Sequence, residues 1–217
     1  MSENQGIRIS KVVKEFNIGI GTLTEFLKKK GNRVIIDSEL LDISTRRADI
    51  VKADGEMRKL LGMDLISDGR HYGVYNELPI SISAEVTGLP FGFKGILDNV
   101  VVDVKNKLVR INDFKTTGKS LVDFHESIEF WKYWLQAAMY KMLIKHFLKS
   151  VLTDEWTIEF RFIVFDKYDQ LYPFEVSPET MEEWEANFEQ VKIEALYHYE
   201  SRDYLLPYDF ALRNVKL

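Results

Sequence analysis

Cysteine is absent from this 217-residue sequence. That excludes a disulfide framework, a thiolate zinc site, an iron–sulfur cluster and a cysteine nucleophile. No apolar run approaches the ~18–20 residues needed to span a bilayer. The N-terminus, Met1 to Phe16, lacks an apolar leader stretch, so nothing there marks the chain for export and a cytoplasmic setting is expected. A basic excess is also missing: 29 Lys and Arg stand against 34 Asp and Glu, for a net charge of −5. This disfavours a polycation that coats nucleic acid, but not an enzyme that binds phosphates locally. There is no internal repeat and no low-complexity tract. What is present is an ordinary globular balance, 46% hydrophobic and 29% charged, at a length suited to one medium domain, or to a small one with a larger one. Aromatic residues crowd the part after residue 120, where Trp131, Trp134, Trp156 and Trp184 all lie, so that part should supply most of the core.

Residues 7–30 read as two short helices around a turn at Asn17–Gly21, with Thr22 as an N-cap and Gly31 as a stop. Residues 32–45 read as a polar connector. Residues 46–62 look helical, weakened by Gly55 and ended by Gly62. From Tyr72 the period changes to two. Val74–Ser83, Phe93–Val102 and Leu108–Lys115 read as successive strands. A long apolar helix is expected over Ile128–Lys149, then strands at Trp156–Asp166 and Leu171–Val176, and a helix over Pro178–Tyr199. This order gives an α/β or α+β fold with one mixed sheet.

The chemistry concentrates in residues 95–120. Asp113 and Lys115 are two apart on a strand and so share a face. If the preceding hairpin turns about Lys105–Asn106, Asp98 is set opposite Asp113. Like charges so placed repel, and hard carboxylate oxygens without His or Cys nearby favour Mg²⁺ or Mn²⁺ as the compensating cation. A lysine beside them can orient a water that attacks a phosphodiester. Gln136 and Tyr140, at i and i+4, share one face of the apolar helix. A glutamine there needs a hydrogen-bonding reason.

Gly95-Ile96-Leu97-Asp98, then Ile111 to Thr116, then Gln136 to Tyr140, resemble the PD-(D/E)XK nucleases, closest to their RecB-like and exonuclease VIII-like branch. The resemblance covers residues 72–176. It implies a restriction-endonuclease-like α/β core, a central mixed sheet flanked by helices, over 46–217, with a small helical N-terminal module over 1–45. It implies Asp98 and Asp113 as metal ligands with the Phe114 carbonyl, Lys115 as the catalytic lysine, and Gln136 and Tyr140 as neighbours that contact DNA or position Lys115. Mg²⁺ is the implied cofactor, with Mn²⁺ substituting, and DNA the implied partner in a bacterial or phage-encoded recombination or repair nuclease. Glu56 and His71 are candidates for an upstream metal ligand, Glu77 for a recurrent strand glutamate, and Glu85 is a further acid. The alternatives are a catalytically silent relative that binds DNA or protein, and a phage structural component. Residues 7–31 resemble the N-terminal module of bacterial translation initiation factor two, which implies a docking unit for a protein partner. An oligomer is compatible with the sequence.

Lys105, Lys107, Arg110 and Lys119 are the cations placed for a DNA backbone. Lys141, Lys145 and Lys149 read as a solvated edge facing away from Gln136. Thr117 to Ser120 imitates the end of a phosphate-binding loop, but Asp113 stands where that loop needs glycine.

Overall fold

The computed structural model describes residues 38–65 and 71–215; the helical module expected over residues 7–30 lies outside them. The chain divides between Ala53 and Asp54 into two compact units. The described part of the first is one helix, α1, Ser38–Ala53. The second holds α2 (Gly55–Leu60), β1 (Tyr72–Ile82), α3 (Ala84–Thr87), β2 (Phe93–Asp103), β3 (Leu108–Thr116), α4 (Phe124–Phe130), α5 (Tyr133–Phe147), β4 (Thr157–Phe165), β5 (Leu171–Glu175), α6 (Pro178–Ser201) and α7 (Tyr208–Ala211). Among the described residues no helix is long and apolar enough to cross a membrane.

The strands stand in chain order in one mixed sheet. β1–β2, β2–β3 and β4–β5 pair antiparallel, and β3–β4 pair parallel across the connection that carries α4 and α5. One face is packed under α5 and α6. Val100, Val109, Ile111, Phe160, Phe162 and Val164 meet Ala137, Leu143 and Ile144 of α5 and Met181, Trp184 and Phe188 of α6 in a single apolar cluster. Alternation of these strand positions is what lets one side of each strand enter the core. Lys141 and Lys145 both reach Glu185 of α6 at 2.7 Å and tether the covering helices; Lys141 is mostly covered there, while Lys145 and Lys149 stay exposed as the stripe reading expected.

Two expected helices are each divided. The helix read over 46–62 gives way at Asp54, whose backbone is extended and whose carboxylate accepts the Glu56 and Met57 amides at 2.9 Å. Asp54 is thus an N-cap and Gly55 opens α2, where the apolar period alone suggested continuity. Helix α1 also begins inside the stretch read as connector. The helix expected over 128–149 starts earlier, at Phe124, and is interrupted by Lys132 in the left-handed conformation (φ 55°). The strands fall within a residue or two of their expected bounds.

The face away from α5 carries a buried amide ladder. The Asn112 amide donates to Asn99 Oδ1 at 2.7 Å and to the Leu60 carbonyl at 3.2 Å. The Asn99 amide donates to Asn76 Oδ1 at 2.9 Å and to the Leu61 carbonyl at 3.3 Å. The ladder therefore joins β1, β2 and β3 and takes up carbonyls that the end of α2 leaves open. Asn99→Ala should lower stability by about 1–3 kcal/mol, because it strands buried partners. Urea unfolding reads this as a lower midpoint at unchanged slope; an unchanged midpoint would show that the ladder contributes nothing.

Candidate active site

The arrangement begins with a break in the sheet. The β2–β3 register is the expected one, running from Asp103↔Leu108 to Asn99↔Asn112, and the regular ladder ends there, one residue short of Asp98 and Asp113. Beyond it the Phe114 amide donates to Asp98 Oδ2 at 2.8 Å, so a carboxylate replaces a strand carbonyl. On the other side of β2, pairing skips Glu77 between Asn76↔Asn99 and Leu78↔Leu97. Glu77 has φ 48°, in the left-handed region that a non-glycine residue enters only when held there. Asn76 joins the amide ladder while Leu78 packs on the apolar cluster, so side-chain alternation switches at this level. Glu77, Asp98 and Asp113 thus lie side by side on three neighbouring strands.

Asp113 and Lys115 follow Val109 and Ile111 on the helix-covered face. Asp113 is 1% exposed. Its Oδ2 faces the Lys115 ammonium as an ion pair without a well-directed hydrogen bond. The ammonium donates to Gln136 Oε1 at 2.9 Å and lies 4.7 Å from the centre of the Tyr133 ring. The Gln136 amide donates to Tyr140 Oη at 2.9 Å and approaches Asp113 Oδ1 at 3.3 Å. Tyr140 Oη in turn donates to the Ile96 carbonyl at 2.8 Å. Every polar atom of the Gln136 side chain is therefore used, which is why a glutamine sits in so apolar a helix. Tyr133, which the sequence reading missed, was detectable as the position three residues before Gln136 on the same helical face.

Gly95 is required by this packing. A Cβ there would lie 2.9 Å from Tyr140 Cε1 and 2.9 Å from Leu143 Cδ1. The glycine of the Gly-x-x-Asp stretch is thus the point where α5 comes down onto β2.

The electrostatics follow from burial. Desolvation pushes the Asp113 carboxyl up to about 6; the Lys115 charge opposes the rise and the Asp98 charge adds to it. Asp98 is also raised, first by burial, with the Phe114 amide and Lys115 opposing and Glu77 adding. Burial likewise pushes Tyr140 up to about 12, so it stays a hydrogen-bond donor. Two neighbouring carboxylates supply hard oxygen donors of the kind that suits a divalent cation, and the Asp113 oxygen that would serve is the one facing the Lys115 ammonium. As the side chains stand, no group of three His, Asp or Glu among the described residues is positioned to hold an ion.

Other candidates fall elsewhere. Glu56 is exposed on α2, and the end of α2 packs against Asn99 and Asn112, on the face opposite Asp113. His71 precedes Tyr72↔Asp103, the far end of the β1–β2 ladder. Six residues of strand, on the order of 20 Å, separate it from the Asp98 level. Glu85 sits on α3, its carboxyl lowered by Ser83 and its own backbone amide. Lys119 pairs with Glu126, and Lys107 with Glu155. Arg110 bonds Glu159 at 3.2 Å and lies near the Leu60 carbonyl, on the amide-ladder face. Of the added acids, only Glu77 is brought to the carboxylates.

Two outcomes are expected. Because the folded Asp113 carboxyl binds its proton more tightly than the unfolded one, metal-free protein should lose stability as pH rises from about 4 to about 6. The difference corresponds to on the order of 3 kcal/mol. Asp113→Asn should make that decline shallower in urea titrations with EDTA, while Asp98 leaves some slope; parallel curves would refute a titrating Asp113. Gly95→Ala should displace Tyr140 and cost about 1–3 kcal/mol, read as a lower melting temperature.

The sequence matches no family model and no curated protein. Among solved structures, a crystal structure from Eubacterium rectale provisionally described as an exonuclease aligns with all of this chain and 77% of its own, at 12% identity and a TM-score of 0.54. A second, SSO0001, aligns over 87% of this chain and 88% of its own at 15% identity, with a TM-score of 0.33 that bears no weight. The first likeness is one of fold. This chain has an α/β, restriction-endonuclease-like core, a five-stranded mixed sheet flanked by helices.

Proposed function

We propose that this chain is a metal-dependent nuclease that hydrolyses DNA phosphodiester bonds, as an exonuclease of recombination or repair type. The observation that carries the reading is the linked set Asp98, Asp113, Lys115, Gln136 and Tyr140, assembled where the sheet ladder stops. The fold shared with a structure described as an exonuclease supports it. A Mg²⁺ ion held by the Asp98 and Asp113 carboxylates and the Phe114 carbonyl would polarise a phosphate oxygen and neutralise its developing charge, and Mn²⁺ would suit the same oxygens.

The chain's own groups do the rest. Lys115 donates a hydrogen bond to the attacking water and fixes its direction. Gln136 holds the ammonium in place, and Tyr140 holds Gln136 by spending its own proton on the Ile96 carbonyl. The Tyr133 ring shields one side of Lys115 from solvent, which strengthens its interactions. A second reading, a silent relative that binds DNA or protein, is favoured by one feature: the Lys115 ammonium already neutralises Asp113 directly.

End-labelled linear DNA and circular DNA, incubated with Mg²⁺, Mn²⁺ or EDTA, decide between them. Linear DNA should be degraded with either metal and spared with EDTA. Asp98→Asn and Asp113→Asn should abolish cleavage. Lys115→Arg should fail nearly as badly as Lys115→Ala, by on the order of 10²-fold or more, because a bulkier planar group cannot take the same place. Mn²⁺ should raise the melting temperature of the wild type and not of the Asp variants. Inactivity on every substrate, with no thermal response to metal, would select the silent reading.

A further inference from the structure

We infer that Phe130 and Trp131 form a stacking platform for unpaired bases of a DNA strand at the mouth of the candidate active site, which makes single-stranded or frayed DNA ends the preferred substrate. The inference rests on the nuclease reading above. Phe130 is 73% exposed and Trp131 63%, and their rings meet edge to face at 4.8 Å. Other large apolar side chains of this protein are as exposed, so it is the pairing of two rings with the position beside Lys115 that singles this set out.

Its position argues for what covers it. Just before the pair, Ser127 of α4 sits 3.5 Å, oxygen to oxygen, from Thr117, two residues beyond Lys115 on the same chain segment. Just after it, Tyr133 lies under the Lys115 ammonium. The pair is therefore held between two contacts with the catalytic end of β3. Trp131 and Tyr133 are two residues apart, so their Cα atoms are at most about 7 Å apart. At ~3.4 Å per stacked nucleotide, a base on Trp131 belongs within a few steps of the phosphate at Lys115.

The backbone presents the pair deliberately. Lys132 is left-handed, a conformation costing a non-glycine residue about 1–2 kcal/mol, and it ends α4 and restarts α5. The exposed pair stands at this break, Phe130 as the last residue of α4 and Trp131 as its C-cap. Charge here is mixed: Lys132 lies near the Trp134 ring, Lys119 is matched by Glu126, and Glu129 is exposed in the same turn. Attraction for phosphates is thus locally weak, and ring stacking, which tolerates any base, is what the corner offers.

The test measures binding apart from cleavage, with a fluorescein-labelled 20-nucleotide single strand and its blunt duplex in EDTA, across a salt series. Trp131→Ala should weaken single-strand binding about tenfold or more and duplex binding little, with the slope of log affinity against log salt unchanged. Trp131→Phe should restore most of the loss, and melting temperatures should match because the ring is exposed. Equal affinity in the Ala variant, an equal loss on both DNAs, or a changed molecular mass that assigns the ring to a protein contact would each overturn the platform. Wild-type cleavage of linear DNA alongside any of these would leave the nuclease reading standing. Wild-type DNA binding with the expected Trp131 effect but no cleavage would remove the nuclease reading alone.

Discussion

Everything at this site depends on placing one carboxylate, Asp113, out of water and against an ammonium. In the apolar cluster beneath α5 and α6 such a group is costly unless it is partnered. Lys115 supplies the opposite charge, Gln136 anchors Lys115, Tyr140 anchors Gln136, and Tyr140 ends the chain of bonds on the β2 backbone. Each member is rigid because the next one is. The chain closes only if α5 can approach β2 closely, which is why a glycine stands at position 95.

The sheet accommodates this by giving up regular pairing at one level. Glu77 turns left-handed, Asp98 leaves the ladder to receive the Phe114 amide, and the β2–β3 register ends at Asn99↔Asn112. Such an interruption would weaken the sheet were it not braced from behind. The Asn76–Asn99–Asn112 amides restore cross-strand bonds on the opposite face and fasten them to the end of α2. The braced level lies next to the irregular one along the strand, with its amides on the face away from α5. An unusual backbone beside a buried ionisable cluster is where function and local strain tend to coincide.

Much of this was legible in the residues. Period-two runs placed the strands because alternation is a local property of the backbone, and the turn at Lys105–Asn106 set the hairpin register that brings Asp98 to the level of Asp113. The i, i+4 relation put Gln136 and Tyr140 on one face. The helix interruptions at Asp54 and Lys132 were not legible, since apolar period runs across both, and only the N-cap bonds and the left-handed backbone reveal them. The solvated edge read for Lys141, Lys145 and Lys149 holds at Lys145 and Lys149, and only the pairing with Glu185 was not legible, since a charge pattern does not show which residue of a distant helix lies opposite.

The sequence by itself determined the order of the candidate side chains and the strand or helix face of Asp113, Lys115, Gln136 and Tyr140, because these follow from spacing along a regular backbone. The tertiary structure alone decided which of the scattered acids joins them. Glu77 reaches the cluster across the sheet, while Glu56 lies behind it and His71 at its far end. It alone decided, too, that Asp113 is buried enough to resist ionisation, since desolvation depends on what packs above a strand and no local pattern encodes that.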